Sequence, residues 1–247
     1  MEKKHYTAIV LAAGSGRRMN SKIPKQFLKL NGYPMLYYSL KAFELSPVDD
    51  IILVTGAEDV EYCQKEIVQA YGIKKVKAVV AGGAERYLSV YEGLKASQGA
   101  DYVLIHDGAR PMLDQETILS SMEAVQKEDA CVVGTPVKDT IKVVSQEGYA
   151  KHTPDRSTLW AVQTPQSFSC SLLMSAYARL ETLMKEQKRA LSITDDAMLV
   201  EQMTGHKVKL IQGKYENIKV TTPGDLRIAE AFLLNCRKNC KKSEFSC

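Results

Sequence analysis

Four cations, Arg17, Arg18, Lys22 and Lys25, follow directly on the glycine turn Gly14-Ser15-Gly16, and that turn closes the apolar run TAIVLAA. A glycine turn after a strand is a ready phosphate cradle, because its backbone N–H groups and a following helix start point at the anion. Three machines share this geometry. A Walker loop requires GxxxxGK[ST], which Gly14-Ser15-Gly16-Arg17-Arg18 does not supply. A dinucleotide fingerprint requires a third small residue, but bulky Met19 stands there. It also requires an acid at the end of the second strand, where IILVTGAED has Thr55 and Gly56. What remains is a glycine turn that carries its own cations, which suits a nucleoside triphosphate whose polyphosphate leaving group develops charge.

The second chemical signal is IHDGARP, Ile105 to Pro111. Asp107 follows VLIH and so stands at the carboxyl end of a predicted strand, the edge on which open α/β sheets bind ligands. A carboxylate there can hold Mg2+ against phosphate oxygens; alone, it is equally a loop acid capping a turn. Arg110 is read as pairing with a phosphate or bracing the loop. His106 is read as a packed strand-end residue or an acid–base group.

These residues need a scaffold that brings strand ends together. YTAIVLAA, DIILVTG, VKAVVAG, DYVLIHD and ACVVGTPV read as strands, near-continuously apolar, as strands covered on both faces are. Between them PMLYYSLKAFEL, DVEYCQKEIVQAYG, AERYLSVYEGLKAS and DQETILSSMEAVQKE carry helical spacing. Pro34 suits a first helical turn and Gly72 a C-terminal cap. Repeated βα units of this kind predict an α/β fold with a doubly wound, mostly parallel sheet. DTIKVVSQEGYAKHTPDRSTLWAVQTPQSF then breaks the pattern, with β character, a turn at QEG and no crossover helix, and predicts a protruding antiparallel β-arm at about residues 138–160. CSLLMSAYARLETLMKEQ and DDAMLVEQMTG resume helical spacing. VKLIQG and NIKV read as short strands, and TTPGDLRIAEAFLL as a closing helix with a capping box at Thr222 and Asp225. One domain over residues 1–235 is expected, with 236–247 a frayed tail.

Composition agrees with an enzyme of small anions. The 247 residues suit one large domain, and the net charge of +4 with a pI near 8.6 falls short of a dedicated nucleic-acid binder. No nucleic-acid partner is expected, since no aromatic stacking motif accompanies the basic residues. No segment approaches the apolar length of a membrane span. The start, MEKKHYTAIVLAAG, reads as a buried strand rather than a secretory leader. The six cysteines show no CxxC pairs or zinc-ligand spacing, which points to reduced thiols in a cytoplasmic protein.

LAAGSGRRM with PKQF, GGAERYLSV, HDGARP, VKDTIK, TPDRSTLWAVQTPQSF, SITDDA and NIKVTTPGDL occur in the order found in the IspD family of 2-C-methyl-D-erythritol 4-phosphate cytidylyltransferases, which the chain resembles from about Tyr6 to Leu234. The resemblance implies a Rossmann-like nucleotidyltransferase fold and Mg2+-dependent transfer of CMP from CTP to methylerythritol 4-phosphate, with release of pyrophosphate. It implies catalytic roles for Arg18, Lys25 and Lys219 and a metal role for Asp107. Ala12, Ala13, Gly14, Gly16, Gly82, Gly83 and Ser89 would bind the nucleotide. Ala84 stands where family members often carry an acid, so no base contact is assigned to it. Arg110, Thr164 and Thr194 would contact substrate. Thr140 and Arg156 of the arm would reach the acceptor phosphate in a neighbouring subunit of a homodimer, with Trp160 at the interface or buried in the monomer. The alternatives are a ribitol 5-phosphate cytidylyltransferase and a catalytically silent nucleotide-binding protein.

Overall fold

The computed structural model describes residues 3–14, 19, 23–187 and 192–240. Arg17, Arg18 and Lys22 of the basic loop, and Gly16 of its turn, lie outside the described residues, as does the tail beyond Cys240.

The chain opens with β1 (Tyr6–Ala12), a 3-10 turn at Lys25–Phe27, and the small hairpin β2 (Lys29–Leu30) and β3 (Tyr33–Pro34). The first half then alternates α1 (Met35–Glu44), β4 (Asp50–Thr55), α2 (Val60–Tyr62), β5 (Val76–Ala81), α3 (Arg86–Ala96), β6 (Tyr102–Asp107), α4 (Gln115–Glu128) and β7 (Ala130–Pro136). An arm with β8 (Val143–Val144) and β9 (Ala150–His152) precedes β10 (Trp160–Ser169). The chain ends with α5 (Cys170–Gln187), α6 (Asp196–Thr204), β11 (Lys209–Gln212) and α7 (Pro223–Cys240).

The seven-stranded sheet has the order β11-β7-β10-β6-β1-β4-β5. β1, β4, β5 and β6 are mutually parallel neighbours and β11 is parallel to β7, whereas β10 runs antiparallel to both β6 and β7. Alternation along the strands feeds two cores, as the pleat requires. Ala8, Val10, Ile51, Leu53 and Leu104 meet Leu36, Leu40, Phe43, Ile67 and Val125 on one face. Ile9, Ile52, Val54, Val103 and Ile105 meet Val90, Leu94, Leu173, Tyr177 and Leu199 on the other. The central strands β1, β4 and β6 are near-continuously apolar because both of their faces are covered.

Local signals set the helix ends. Asp114 accepts from Thr117 N at 2.9 Å at the start of α4, and Asp195 from Met198 N at 2.9 Å at the start of α6. Gly72 adopts φ +63°, as the predicted cap requires. The capping box of α7 is reciprocal: Asp225 accepts from Thr222 N at 2.9 Å, and Thr222 Oγ1 accepts from Asp225 N at 3.3 Å.

Three local expectations change. The helix predicted over DVEYCQKEIVQAYG forms, but after Tyr62 it widens to π pitch over Cys63–Gln69, with Cys63 and Ile67 buried. Apolar spacing specifies a buried helical face without specifying its pitch. Pro34 precedes α1 at the N-cap position instead of entering its first turn. NIKV is not a strand. Arg110 Nη1 donates to Asn217 O at 2.6 Å and Val220 N donates to Ala109 O at 2.8 Å, so this segment lies along the HDGARP loop with no sheet partner.

Candidate active site

The site forms where the sheet reverses its winding. From β1 the chain proceeds outward through β4 and β5, then returns to place β6 on the other side of β1. Leu11 and Asp107 stand side by side in that pairing. Loops diverge at such a switch point and leave a crevice at the carboxyl ends of the strands. A cleft of about 470 Å3 opens there, lined by Ala12, Ala13, Gly14, Lys25, Gly83, Ser89, Asp107 and Lys219 among others. Its size is that of a small-ligand site.

The glycine turn after β5 is built for close approach. Gly82 N donates to Thr55 O at 2.8 Å, and a Cβ on Gly82 would lie 2.6 Å from Ser89 Oγ and 2.9 Å from Ala13 Cβ. No side chain fits between these walls. Ser89 Oγ accepts from Gly83 N at 3.2 Å and lies 3.2 Å from Glu85 O, so this buried hydroxyl pins the turn. Gly82 therefore shapes the cleft from behind, while Gly83 and Ser89 line it.

A second cavity of about 350 Å3 is lined by Arg110, Val162, Gln163, Thr164, Gln166, Thr194 and Asp195. It shares Arg86, Asp107 and Lys219 with the first. At that common wall Asp107 Oδ2 accepts from Lys219 Nζ at 2.7 Å, and Asp107 Oδ1 faces Arg86 Nε at 3.4 Å. Burial pushes the Asp107 carboxyl upward, but the Arg86 guanidinium and then the Lys219 ammonium outweigh it and hold the group well below the usual carboxylate range. Lys25 Nζ donates to Val220 O at 3.1 Å. The cations Lys25 and Lys219 are thereby brought from opposite ends of the chain to one cleft.

His106 settles into a structural role. Its ring packs edge-on against Phe43, Nε2 lies 3.2 Å from Arg110 O, and Nδ1 lies 2.9 Å from Thr164 Oγ1. A carbonyl only accepts, so Nε2 carries the proton and Nδ1 accepts from the Thr164 hydroxyl. Thr164 Oγ1 in turn accepts from Asp107 N at 3.2 Å. Complete burial lowers the His106 pKa to about 4, so the ring is neutral near pH 7. Thr164, although it borders the second cavity, is 3% exposed and already engaged on both sides, which makes it a brace for the Asp107 loop.

Arg110 and Thr194 line the second cavity. Arg110 is buried, its guanidinium bonded to the carbonyls of Asn217 and Val162, and burial lowers its pKa. Thr140 and Arg156 line neither cavity of this chain; Arg156 Nη1 donates to Lys138 O at 2.7 Å on the exposed arm. Trp160 is half-buried at the start of β10 and approaches Gly134. Among the described residues, no group of three or more His, Cys, Asp or Glu side chains converges as a metal cage.

Sequence reasoning missed Arg86 and Asp196. Arg86 Nη1 lies 2.9 Å from Asp196 Oδ2, and Asp196 is 1% exposed. Burial pushes the Asp196 carboxyl upward against the pull of Arg86. The available signals were an Arg opening a helix after the glycine turn, in GGAERYLSV, and a doubled acid in SITDDA. Neither reveals that the two helix starts face each other.

Comparison with known proteins identifies the family. The family described as IspD, 2-C-methyl-D-erythritol 4-phosphate cytidylyltransferase, matches residues 6–235. The 2-C-methyl-D-erythritol 4-phosphate cytidylyltransferase of Lachnoclostridium phytofermentans is 49% identical over 94% of this chain and 97% of its own length. That of Lachnospira eligens is 52% identical over 92% of this chain and 98% of its own. The crystal structure of 4-diphosphocytidyl-2C-methyl-D-erythritol synthase from Anaerococcus prevotii superposes with a TM-score of 0.79 at 35% identity, covering 94% of this chain and 96% of that one.

Proposed function

Because the chain belongs to the IspD family of 2-C-methyl-D-erythritol 4-phosphate cytidylyltransferases, we propose that its two adjoining cavities bind CTP and methylerythritol 4-phosphate and that transfer takes place at the wall they share. The enzyme is a cytidylyltransferase of isoprenoid precursor synthesis. The observation that carries the site assignment is that Asp107 and Lys219 line both cavities and touch each other at 2.7 Å.

A phosphate oxygen of the acceptor attacks the α-phosphorus of CTP; the new P–O bond forms as the bond to the β-phosphate oxygen breaks, and pyrophosphate leaves. The nucleophile is already an anion, so no general base is required. This fits a site whose histidine is buried and neutral. Catalysis is then positioning and charge stabilisation. Lys25 and Lys219 flank the cleft and serve the triphosphate and the five-coordinate transition state, with Arg18 of the basic loop as the third cation. The turn at Gly82 and Gly83, with the backbone of Ala12 to Gly14, would receive the pyrimidine edge of CTP. Arg110 and Thr194 serve the acceptor.

Asp107, the carboxylate that lines both cavities, fits Mg2+ that arrives with the nucleotide, since this ion commonly takes one or two protein carboxylates and completes its shell with phosphate oxygens and water. When bound, it neutralises phosphate charge. Asp107 would hold it.

The arm supports a homodimer. β8 and β9 are exposed along their whole length, with Val144 58% exposed and Tyr149, just before β9, 77% exposed. A two-stranded ribbon this bare is marginal alone in water, so a partner that covers it is expected. Thr140 and Arg156 would then serve the partner's acceptor cavity. No described helix is long and apolar enough to cross a membrane. Cys63 and Cys131 are free and buried, in keeping with a cytoplasmic location.

Pyrophosphate release with Mg2+ and CTP, comparing methylerythritol 4-phosphate with ribitol 5-phosphate and substituting ATP, GTP or UTP, tests the reading. Release confined to CTP with methylerythritol phosphate is expected. Preference for ribitol phosphate would overturn the acceptor assignment, and silence with every pair would overturn the transferase reading.

A further inference from the structure

The wall between the two cavities is organised by a cation that bridges two carboxylates. Arg86 opens α3 immediately after the glycine turn, and it lines both cavities. Its Nε faces Asp107 Oδ1 at 3.4 Å and its Nη1 faces Asp196 Oδ2 at 2.9 Å. Asp196 is itself fixed. Gln166 Oε1 accepts from the backbone N of Asp196 and of Ala197, both at 3.0 Å, and Gln166 Nε2 donates to Asp195 Oδ2 at 3.0 Å. The guanidinium thus joins the floor of the nucleotide cleft to the first turn of α6, whose preceding residues Thr194 and Asp195 border the acceptor cavity.

The two oxygens of Asp107 are held differently. Oδ2 contacts Lys219, whose side chain is about two-fifths exposed and sits on a segment outside the sheet. Oδ1 contacts Arg86, which is tethered at its other end to a buried carboxylate. When a triphosphate enters, the exposed lysine is the partner free to exchange. A planar guanidinium is also the one cationic side chain that spans two carboxylates with fixed geometry.

We propose that Arg86 is a positioning residue for the transfer: it anchors Oδ1 of Asp107 against Asp196, so that Oδ2 is presented to the metal and phosphates while Lys219 moves from Asp107 to the nucleotide. The proposal rests on the cytidylyltransfer reading.

Removing Arg86 alone strands a buried carboxylate and lowers stability whatever the residue does in function. The test therefore pairs Arg86→Met with the double variant Arg86→Met/Asp196→Asn, and adds Arg86→Lys, which keeps a cation beside Asp196 but cannot bridge both acids. Thermal midpoints, kcat, and the CTP dissociation constant with and without Mg2+ are measured, the titrations without acceptor. Arg86→Met should lose both midpoint and turnover. The double and Lys variants should recover most of the midpoint yet remain at least tenfold down in kcat, as expected when a reacting group is misplaced. The tightening of CTP binding by Mg2+ should shrink at least threefold in both. Recovery of kcat together with the midpoint, or an unchanged Mg2+ effect on CTP binding in a folded variant, would overturn the proposal. If the wild-type protein released no pyrophosphate, the transfer reading would fail while the CTP titrations still decided the role of Arg86.

Discussion

Lowering the pH from 7 to 4.5 should destabilise this protein through His106, and the size of the effect follows from its environment. The ring is fully buried and neutral, and its pKa falls from 6.5 to about 4, chiefly because burial disfavours the cation. In the unfolded chain the same imidazole protonates near 6.5. Between these values the unfolded state binds the extra proton, so stability rises with pH across the interval and is lost on acidification. For one group the loss amounts to roughly 2–3 kcal/mol between pH 7 and 4.5. That is a sizeable share of a total stability on the order of 5–15 kcal/mol. Carboxylates titrate in the same range, so the assay is a comparison. Urea unfolding of wild type and of His106→Asn, at pH 7, 5.5 and 4.5, separates them. The variant should be less stable at pH 7, because Thr164 Oγ1 and Arg110 O lose a partner. Its further loss on acidification should be smaller than that of wild type by roughly 2–3 kcal/mol. Parallel pH profiles would refute the reasoning, and would mean that His106 is hydrated or already charged in the folded protein.

Two further outcomes test the site. Lys219→Ala should lower kcat by a factor of roughly 10² or more, the scale of a lost transition-state contact, with a thermal midpoint near that of wild type; turnover within threefold of wild type would remove Lys219 from the chemistry. Gly82→Ala places a methyl 2.6 Å from Ser89 Oγ and 2.9 Å from Ala13 Cβ, so the turn must shift. CTP affinity should fall roughly tenfold, the cost of about 1.4 kcal/mol of misfit, and calorimetric titration of CTP measures it directly.

The electrostatics of the site suit the proposed chemistry, in which charge stabilisation rather than proton transfer lowers the barrier. Asp107 is held ionised by two cations, His106 is kept neutral by burial, and Arg110 bonds the carbonyls of Asn217 and Val162. Each feature suits a reaction whose nucleophile and leaving group are both phosphates. The same features make the site sensitive to geometry, because each charge is placed by a neighbour from a distant part of the chain.

The sequence by itself determined the local elements. Runs of Val and Ile long enough for one strand and apolar on both faces specify a covered sheet, and helical spacing between them specifies crossovers. The acid at the end of β6 and the capping box of α7 are decided within a few residues, because capping and strand-end chemistry act over one turn of chain. Tertiary structure decided what depends on which strands become neighbours. Nothing in WAVQTPQSF states that it runs antiparallel between β6 and β7, since that follows from where the arm lets the chain re-enter. NIKV has β composition but lies along the HDGARP loop, because Arg110 and Ala109 claim its backbone groups. The pairing of Arg86 with Asp196, and the meeting of Lys219 with Asp107, join residues far apart in the chain. Periodicity reports which face of an element is apolar; it carries no information about which charged residue arrives on the other side of a cleft.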